Sequence, residues 1–157
     1  MPDFLGSIVV FTVVISLFLF SWNAVTQQQV GASSFKLMRE DARYTMSLLA
    51  STPGYPENWT NETVEIPGFA TEDNVVSARK IEEFAALNYS QKSKLLQAGN
   101  FNLTLSNSSG VMTFRGVRAS FGRSPENASV IVPVERSVLV NLSGDMISAE
   151  LRLVTWR

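Results

Sequence analysis

Residues 4–20 read FLGSIVVFTVVISLFLF, and this stretch decides how the rest of the chain is interpreted. Thirteen of its seventeen residues are Phe, Leu, Ile or Val, and no charged residue occurs between Asp3 and Lys36. About 20 residues of α-helix span roughly 30 Å, the thickness of the hydrocarbon core of a bilayer. The stretch is therefore predicted to form a helix that is apolar on every side and needs an apolar environment.

Two simpler interpretations of this segment are a cleaved signal peptide and a single-pass membrane anchor. A signal peptide fits poorly because the basic n-region and a small-residue cleavage site are missing. Pro2 and Asp3 suit the first turn of a helix. Because Lys and Arg are absent from this end of the chain, we expect that a short basic leader preceded Met1 and was removed.

The composition argues against several classes of function. The 157 residues include 13 Lys+Arg and 14 Asp+Glu, so no basic surface for nucleic acid is predicted. The absence of Cys and His removes disulfides and the usual nucleophiles, bases and zinc ligands. The adjacent acids Glu82 and Glu83 are interpreted as solvated surface, and a calcium site at 72–74 lacks the EF-hand spacing. We therefore predict no enzyme, no cofactor and no metal site.

One long helix is predicted over residues 2–50. In its second half the apolar residues recur at intervals of three and four. These residues are Phe35, Met38, Ala42, Met46 and Leu49. Pro53 cannot continue a helix and ends it. The chain thus divides into a hydrophobic transmembrane or filament-core helix at 1–23, an amphipathic continuation at 24–51 and an extracellular globular head domain at 52–157.

The head domain is predicted to contain two short helices followed by β-structure. The helices are expected at 78–86 and 91–97, the second with Ser90 as its N-cap. Alternating apolar residues then predict about four antiparallel strands, with Pro133 at an edge or a bulge. The predicted fold class is α+β, with a long N-terminal helix packed on a C-terminal antiparallel sheet of about four strands. The helix is expected to be apolar in its first half and amphipathic in its second.

The second strong signal is the glycosylation sequon Asn-x-Ser/Thr. The chain has ten Asn, and 29 of its 157 residues are Ser or Thr, so about two sequons are expected by chance. Seven occur, none with Pro in the middle position. Their acceptor residues are Asn58, Asn61, Asn88, Asn102, Asn107, Asn127 and Asn141. We predict N-linked glycans on several of them, which places this part of the chain outside the cell.

Several stretches resemble archaeal type IV pilins and pilin-like proteins, a family made with class III signal peptides. The most specific is the run Pro53-Gly54-Tyr55-Pro56-Glu57-Asn58-Trp59. The others are Asp3-Phe4-Leu5 at the start of the apolar helix, residues 48–52, Gly68-Phe69-Ala70, and residues 80–89, 95–101, 136–138 and 151–156. Together they extend the similarity over most of the chain, and the predicted type IV pilin-like fold follows from it.

The resemblance implies a structural subunit of an archaeal type IV pilus-like surface filament that serves adhesion or surface contact. In that family the membrane holds the subunit before assembly, a prepilin peptidase removes the leader, and an assembly ATPase with its platform builds a helical homopolymer. The N-terminal helices bundle in the filament core and the heads face outward. An acidic residue near the N-terminus, here Asp3, can neutralise the terminal amine of a neighbour. The positions assigned to the core are Asp3, Phe4, Gly6, Thr12, Ser16, Phe18 and Trp22.

Three alternatives remain open from the sequence. Within the same family, the chain could be an archaellin or a minor pilin, and the head could be a β-sandwich. From another class, it could be a monomeric membrane-anchored extracellular binding domain. A short upstream leader that ends in basic residues and Gly would favour the pilin interpretation over a simple anchor.

Overall fold

The computed structural model describes residues 2–142 and 144–157. Within the first helix it describes the side chains of residues 4, 6–22 and 34–51. The chain divides into two compact units, Met1–Leu37 and Met38–Arg157. The long helix α1, Pro2–Ser51, belongs to both units, and its length agrees with the predicted helix to within a residue.

The second half of α1 contributes one face to the core of the unit 38–157. Ala42, Met46 and Leu49 are buried, at the intervals of four and three that place them on one side of a helix. Met38 is only half-buried, and Phe35, which we also expected on this face, is exposed. After the helix, the backbone N–H of Thr52 still bonds to the carbonyl of Leu48, and Pro53 then has no N–H to continue the series.

A hairpin of two twelve-residue strands forms the centre of the main sheet. The short strands β1, Ala70–Glu72, and β2, Val75–Ser77, precede the helices α2, Ala78–Ala86, and α3, Tyr89–Leu95. The remaining strands are β3 at Asn100–Asn107, β4 at Gly110–Val111, β5 at Thr113–Phe114, β6 at Val117–Arg118, β7 at Ser120–Gly122, β8 at Ile131–Leu142 and β9 at Asp145–Trp156. The sheet order is β1-β2-β8-β9-β3-β4, and β7 also pairs with β3.

The predicted sheet is wrong in strand number and in direction. Within the described residues the main sheet has seven strands rather than about four, and β2 runs parallel to β8. A parallel pair needs a long crossover, which the chain between residues 77 and 131 supplies. Strands β1 and β2 have three residues each, too few for alternation of side chains to reveal them. Residues 110–122 form four short strands, β4 to β7, rather than one long strand.

The type IV pilin-like fold that we expected is not supported. The mixed seven-stranded sheet replaces the simple antiparallel sheet on which that expectation rested. In the part of the chain that the structure describes, no helix combines the length and the apolarity that a membrane crossing requires. The architecture is α+β.

Helix α3 begins two residues earlier than predicted because Asn88, not Ser90, is its N-cap. The side-chain oxygen of Asn88 accepts a hydrogen bond from the backbone N–H of Gln91 at 2.9 Å. The side-chain oxygen of Gln91 in turn accepts one from the backbone N–H of Asn88 at 3.0 Å. This reciprocal capping box satisfies two N–H groups that the helix cannot satisfy internally.

Aromatic side chains form the centre of the core. The ring of Phe84 makes edge-to-face contacts with Phe69 and Phe121 at centroid distances of 5.3 and 5.5 Å. Trp59 packs beside Phe69, and its indole N–H donates to the carbonyls of Pro53 and Gly68 at 3.0 Å each. The loop after α1 is therefore held to the body by both burial and hydrogen bonds.

Candidate functional site: an exposed apolar helix surface

The most unusual surface of the chain is the first half of α1. Thirteen large apolar side chains between residues 4 and 22 are exposed, from 40% for Ile15 to 77% for Phe20. They are Phe4, Ile8, Val9, Val10, Phe11, Val13, Val14, Ile15, Leu17, Phe18, Leu19, Phe20 and Trp22. Residues 17–20 alone cover a full turn, so the apolar surface surrounds the helix. We call residues 4–22 the apolar segment.

The polar side chains predicted to lie in this core, Thr12 and Ser16, are satisfied within their own helix. The hydroxyl of Thr12 donates to the carbonyl of Ile8 at 2.8 Å, and that of Ser16 donates to the carbonyl of Thr12 at 2.8 Å. Because each of these two donors already has an acceptor, Thr12 and Ser16 can be buried without leaving a hydroxyl hydrogen unpaired.

The other predicted core positions lie on the same helix. Apart from Gly6 itself, its two chain neighbours and the helix backbone within four residues, no described heavy atom lies within 4 Å of the place where a side chain on Gly6 would begin, so this point is open to a neighbour. The rings of Phe18 and Trp22 stack one helical turn apart, with centroids at 6.2 Å and planes at 28°. Phe4 is among the exposed residues. Asp3 is in α1, but its side chain lies outside the described residues.

The seven sequon asparagines lie between residues 58 and 141, away from the apolar segment in sequence, and none is buried. Asn58, Asn61, Asn88 and Asn127 are exposed, whereas Asn102, Asn107 and Asn141 are half-buried. The side-chain amide nitrogen is the atom that a glycan would occupy. In Asn102 this nitrogen donates to the carbonyl of Arg123 at 3.1 Å, so a glycan there would compete with an existing hydrogen bond.

The acidic loop that we considered for calcium faces an arginine. The guanidinium of Arg136 donates to the side-chain oxygen of Asn74 at 2.7 Å and lies 3.7 Å from the carboxylate of Asp73. Across the described residues, no three His, Cys, Asp or Glu side chains come together as a group that could hold a metal ion. The loop therefore contributes to packing between the β1–β2 turn and β8.

Sequence reasoning missed a buried lysine. Lys92 is only 8% exposed, and its ammonium donates to the carbonyls of Ala85 and Leu87 at 2.9 and 2.6 Å. It also lies over the rings of Phe84 and Phe121. Burial lowers the pKa of Lys92 below its ordinary value. Lys92 lies one helical turn before the buried Leu96, so the two share the inner side of α3, and this spacing was the available signal.

Two features of the described residues stand out. The apolar segment offers a large surface in which the hydroxyls of Thr12 and Ser16 are satisfied, and Lys92 caps the end of α2 inside the core. Nothing in the comparisons with known proteins identifies a pilin family, so the resemblance stays a prediction. No family model matches the chain, and no curated protein or solved structure is significantly similar to it.

Proposed function

We propose that the chain is a structural subunit of a surface filament, of the archaeal type IV pilus kind, in which apolar segments of neighbouring copies pack together. The observation that carries this proposal is the exposure of thirteen large apolar side chains within residues 4–22. Burying the exposed part of these side chains contributes roughly 10–20 kcal/mol at the usual value per side chain. That gain is comparable with or larger than the roughly 4–15 kcal/mol that association costs.

Copies of the same chain are the partner that fits this surface best. A single flat partner would cover one side of the helix, whereas the apolar side chains surround it. In a bundle of parallel copies every side of each helix meets another apolar helix. Packing of this kind depends on close approach, for which Gly6 and the internally bonded Thr12 and Ser16 are suited.

The distribution of sequons supports the same arrangement. All seven lie within residues 58–141, and the apolar segment has none. A glycan is bulky and hydrated, so it is compatible with an outward-facing unit and incompatible with a packed helical core. Glycans on the unit 38–157 would therefore coat the filament without obstructing its assembly. The proposal depends on the apolar segment and not on a pilin-like fold.

A charge placed in the apolar segment tests the proposal. Val14→Glu in the full chain is expected to abolish filaments, because the carboxylate would be buried without a partner. Val14→Ile keeps the surface apolar, and Met146→Glu places the same charge on an exposed side chain of β9. Both controls are expected to assemble as the unmodified chain does when negative-stain electron microscopy is used to count filaments.

Two results would contradict the proposal. Normal filaments from Val14→Glu would show that the apolar segment is not buried in the assembly. A full chain that remains monomeric, and is absent from filaments sheared from cells, would favour the anchored binding domain instead.

A further inference from the structure

An acidic groove with an apolar floor runs along the second half of α1. Its volume is about 310 Å³, and it is bounded by residues 41–49, 65–67 and 95–97. Tyr44 and Ile66 line it and are 67% and 48% exposed. Asp41 and Glu65 also line it, and neither forms an ion pair within the described residues. We call this feature, defined by Asp41, Tyr44, Glu65 and Ile66, the acidic groove.

A second exposed feature carries the opposite charge. Strands β5 and β6 form a separate two-stranded sheet, here called the arginine hairpin (residues 113–118). Its turn is made by Arg115 and Gly116, which have φ values of 45° and 84°. Phe114 is buried opposite Val117, whereas the other pair, Thr113 and Arg118, is exposed on the opposite face. Phe114 therefore anchors the hairpin in the body, whereas Val117 is 39% exposed and Thr113 and Arg118 face solvent.

The charges of the arginine hairpin are largely unneutralised. Arg118 forms no ion pair with any described residue. Arg115 has a contact of 3.7 Å with Glu82, but its own side chain is 87% exposed. Such an exposed pair contributes little and is easily exchanged for another partner.

We propose that the arginine hairpin of one copy docks in the acidic groove of the next copy. This inference rests on the proposed function and names the contact that would accompany packing of the apolar segments. Two guanidinium groups meet two carboxylates, Asp41 and Glu65, so the surfaces are complementary in charge. A guanidinium also stacks on an aromatic ring, which Tyr44 supplies in the groove.

The occupant is a second copy because the two surfaces form a heterologous pair. The acidic groove and the arginine hairpin share no residue, so each copy offers one of each to different neighbours. Repeating such a contact extends an assembly into a helix. Arg39 and Arg43 are also exposed, but they lie on α1 beside the groove itself. If they bound the groove of a second copy, the two copies could form a closed two-fold dimer that does not extend into a filament.

Disulfide trapping tests this contact cleanly because the chain has no cysteine. Ile66→Cys lies in the groove, and Thr113→Cys lies beside Arg118 without removing it. In assembled full chain carrying both substitutions, oxidation is expected to give a covalent ladder of trimers and larger species. A mixture of the two single variants is expected to stop at dimers, and each single variant alone to remain monomeric. Ile66→Cys with Met146→Cys is the matched control and should give no ladder.

Charge exchange provides a second readout in the same double-cysteine background. Arg118→Glu is expected to lower the ladder yield about tenfold. Combining it with Arg115→Glu, Asp41→Arg and Glu65→Arg exchanges all four charges and is expected to restore the yield, which loss of folding would not do.

The outcomes separate the inference from the proposed function. Filaments that form without a ladder would overturn the hairpin-to-groove contact and leave the filament proposal intact. Dimers from either single variant alone would indicate a two-fold contact and would also overturn it. A full chain that forms no assembly overturns the filament proposal, and this contact with it.

Discussion

Replacing Phe84 with leucine isolates the contribution of aromatic geometry to the core. Phe84 is fully buried in α2, and its ring makes edge-to-face contacts with Phe69 and Phe121. Phe114 is buried to a similar degree but has no ring contact of this kind within the described residues. Phe114→Leu therefore removes the same atoms without removing an aromatic pair.

The expected difference between the two variants follows from the two ring pairs. Each aromatic pair contributes about 0.5–1.5 kcal/mol beyond the area that it buries, so two pairs contribute roughly 1–3 kcal/mol. A volume-conserving apolar substitution by itself usually costs less than about 1.5 kcal/mol, and Phe114→Leu measures that part. Phe84→Leu also removes the contact of the Lys92 ammonium with the ring, 5.6 Å from its centroid, which adds about 0.5–2 kcal/mol. Phe84→Leu should therefore be less stable than Phe114→Leu by about 1.5–5 kcal/mol in total.

Urea unfolding of the full chain, followed by near-ultraviolet circular dichroism, provides the measurement. The free energy of unfolding is compared through the transition midpoints, provided that the dependence on denaturant is the same in both variants. Equal stability of Phe84→Leu and Phe114→Leu would refute the reasoning, because the edge-to-face contacts would then contribute nothing beyond burial.

Two further predictions concern Lys92 and two glycines. Burial lowers the pKa of Lys92 in the folded state, so between that value and the ordinary lysine pKa the unfolded chain binds more protons. In that pH range the free energy of unfolding of the unmodified chain should therefore rise with pH relative to that of Lys92→Met. A difference between the two free energies that stays constant across the alkaline range would contradict this. Gly122 and Gly110 have φ values of 113° and 115°, but a side chain on Gly122 would clash with the carbonyl of Phe101. Gly122→Ala should cost about 1–3 kcal/mol more than Gly110→Ala in thermal unfolding, whereas equal costs would argue against the close approach.

The sequence predicted the long helix because its signals are local. The apolar run up to residue 22 is long and free of charge, the spacing of Ala42, Met46 and Leu49 follows the helical period, and Pro53 fixes the end. The helix at 78–86 was predicted with its observed bounds for the same reason.

The sheet could not be predicted because its pairing depends on contacts distant in sequence. The parallel pairing of β2 with β8 joins Val76 to Val140, and nothing near either residue specifies it. The acidic groove could not be predicted for the same reason, because Asp41, Glu65 and Leu96 come together only in the tertiary fold. The cap of α3 was mispredicted because Asn88 and Ser90 are both good caps, and only Asn88 has Gln91 at the position that completes a capping box.

Solvent access to residue 14 in the assembled state tests the central claim most directly. Val14→Cys in the apolar segment and Met146→Cys on β9 are both exposed positions of the isolated chain, which has no other cysteine. In sheared, assembled material, a water-soluble maleimide is expected to label Met146→Cys and to leave Val14→Cys unlabelled until the assembly is dissociated. Equally rapid labelling of both positions in the assembled state would contradict the claim that the apolar segments form its core.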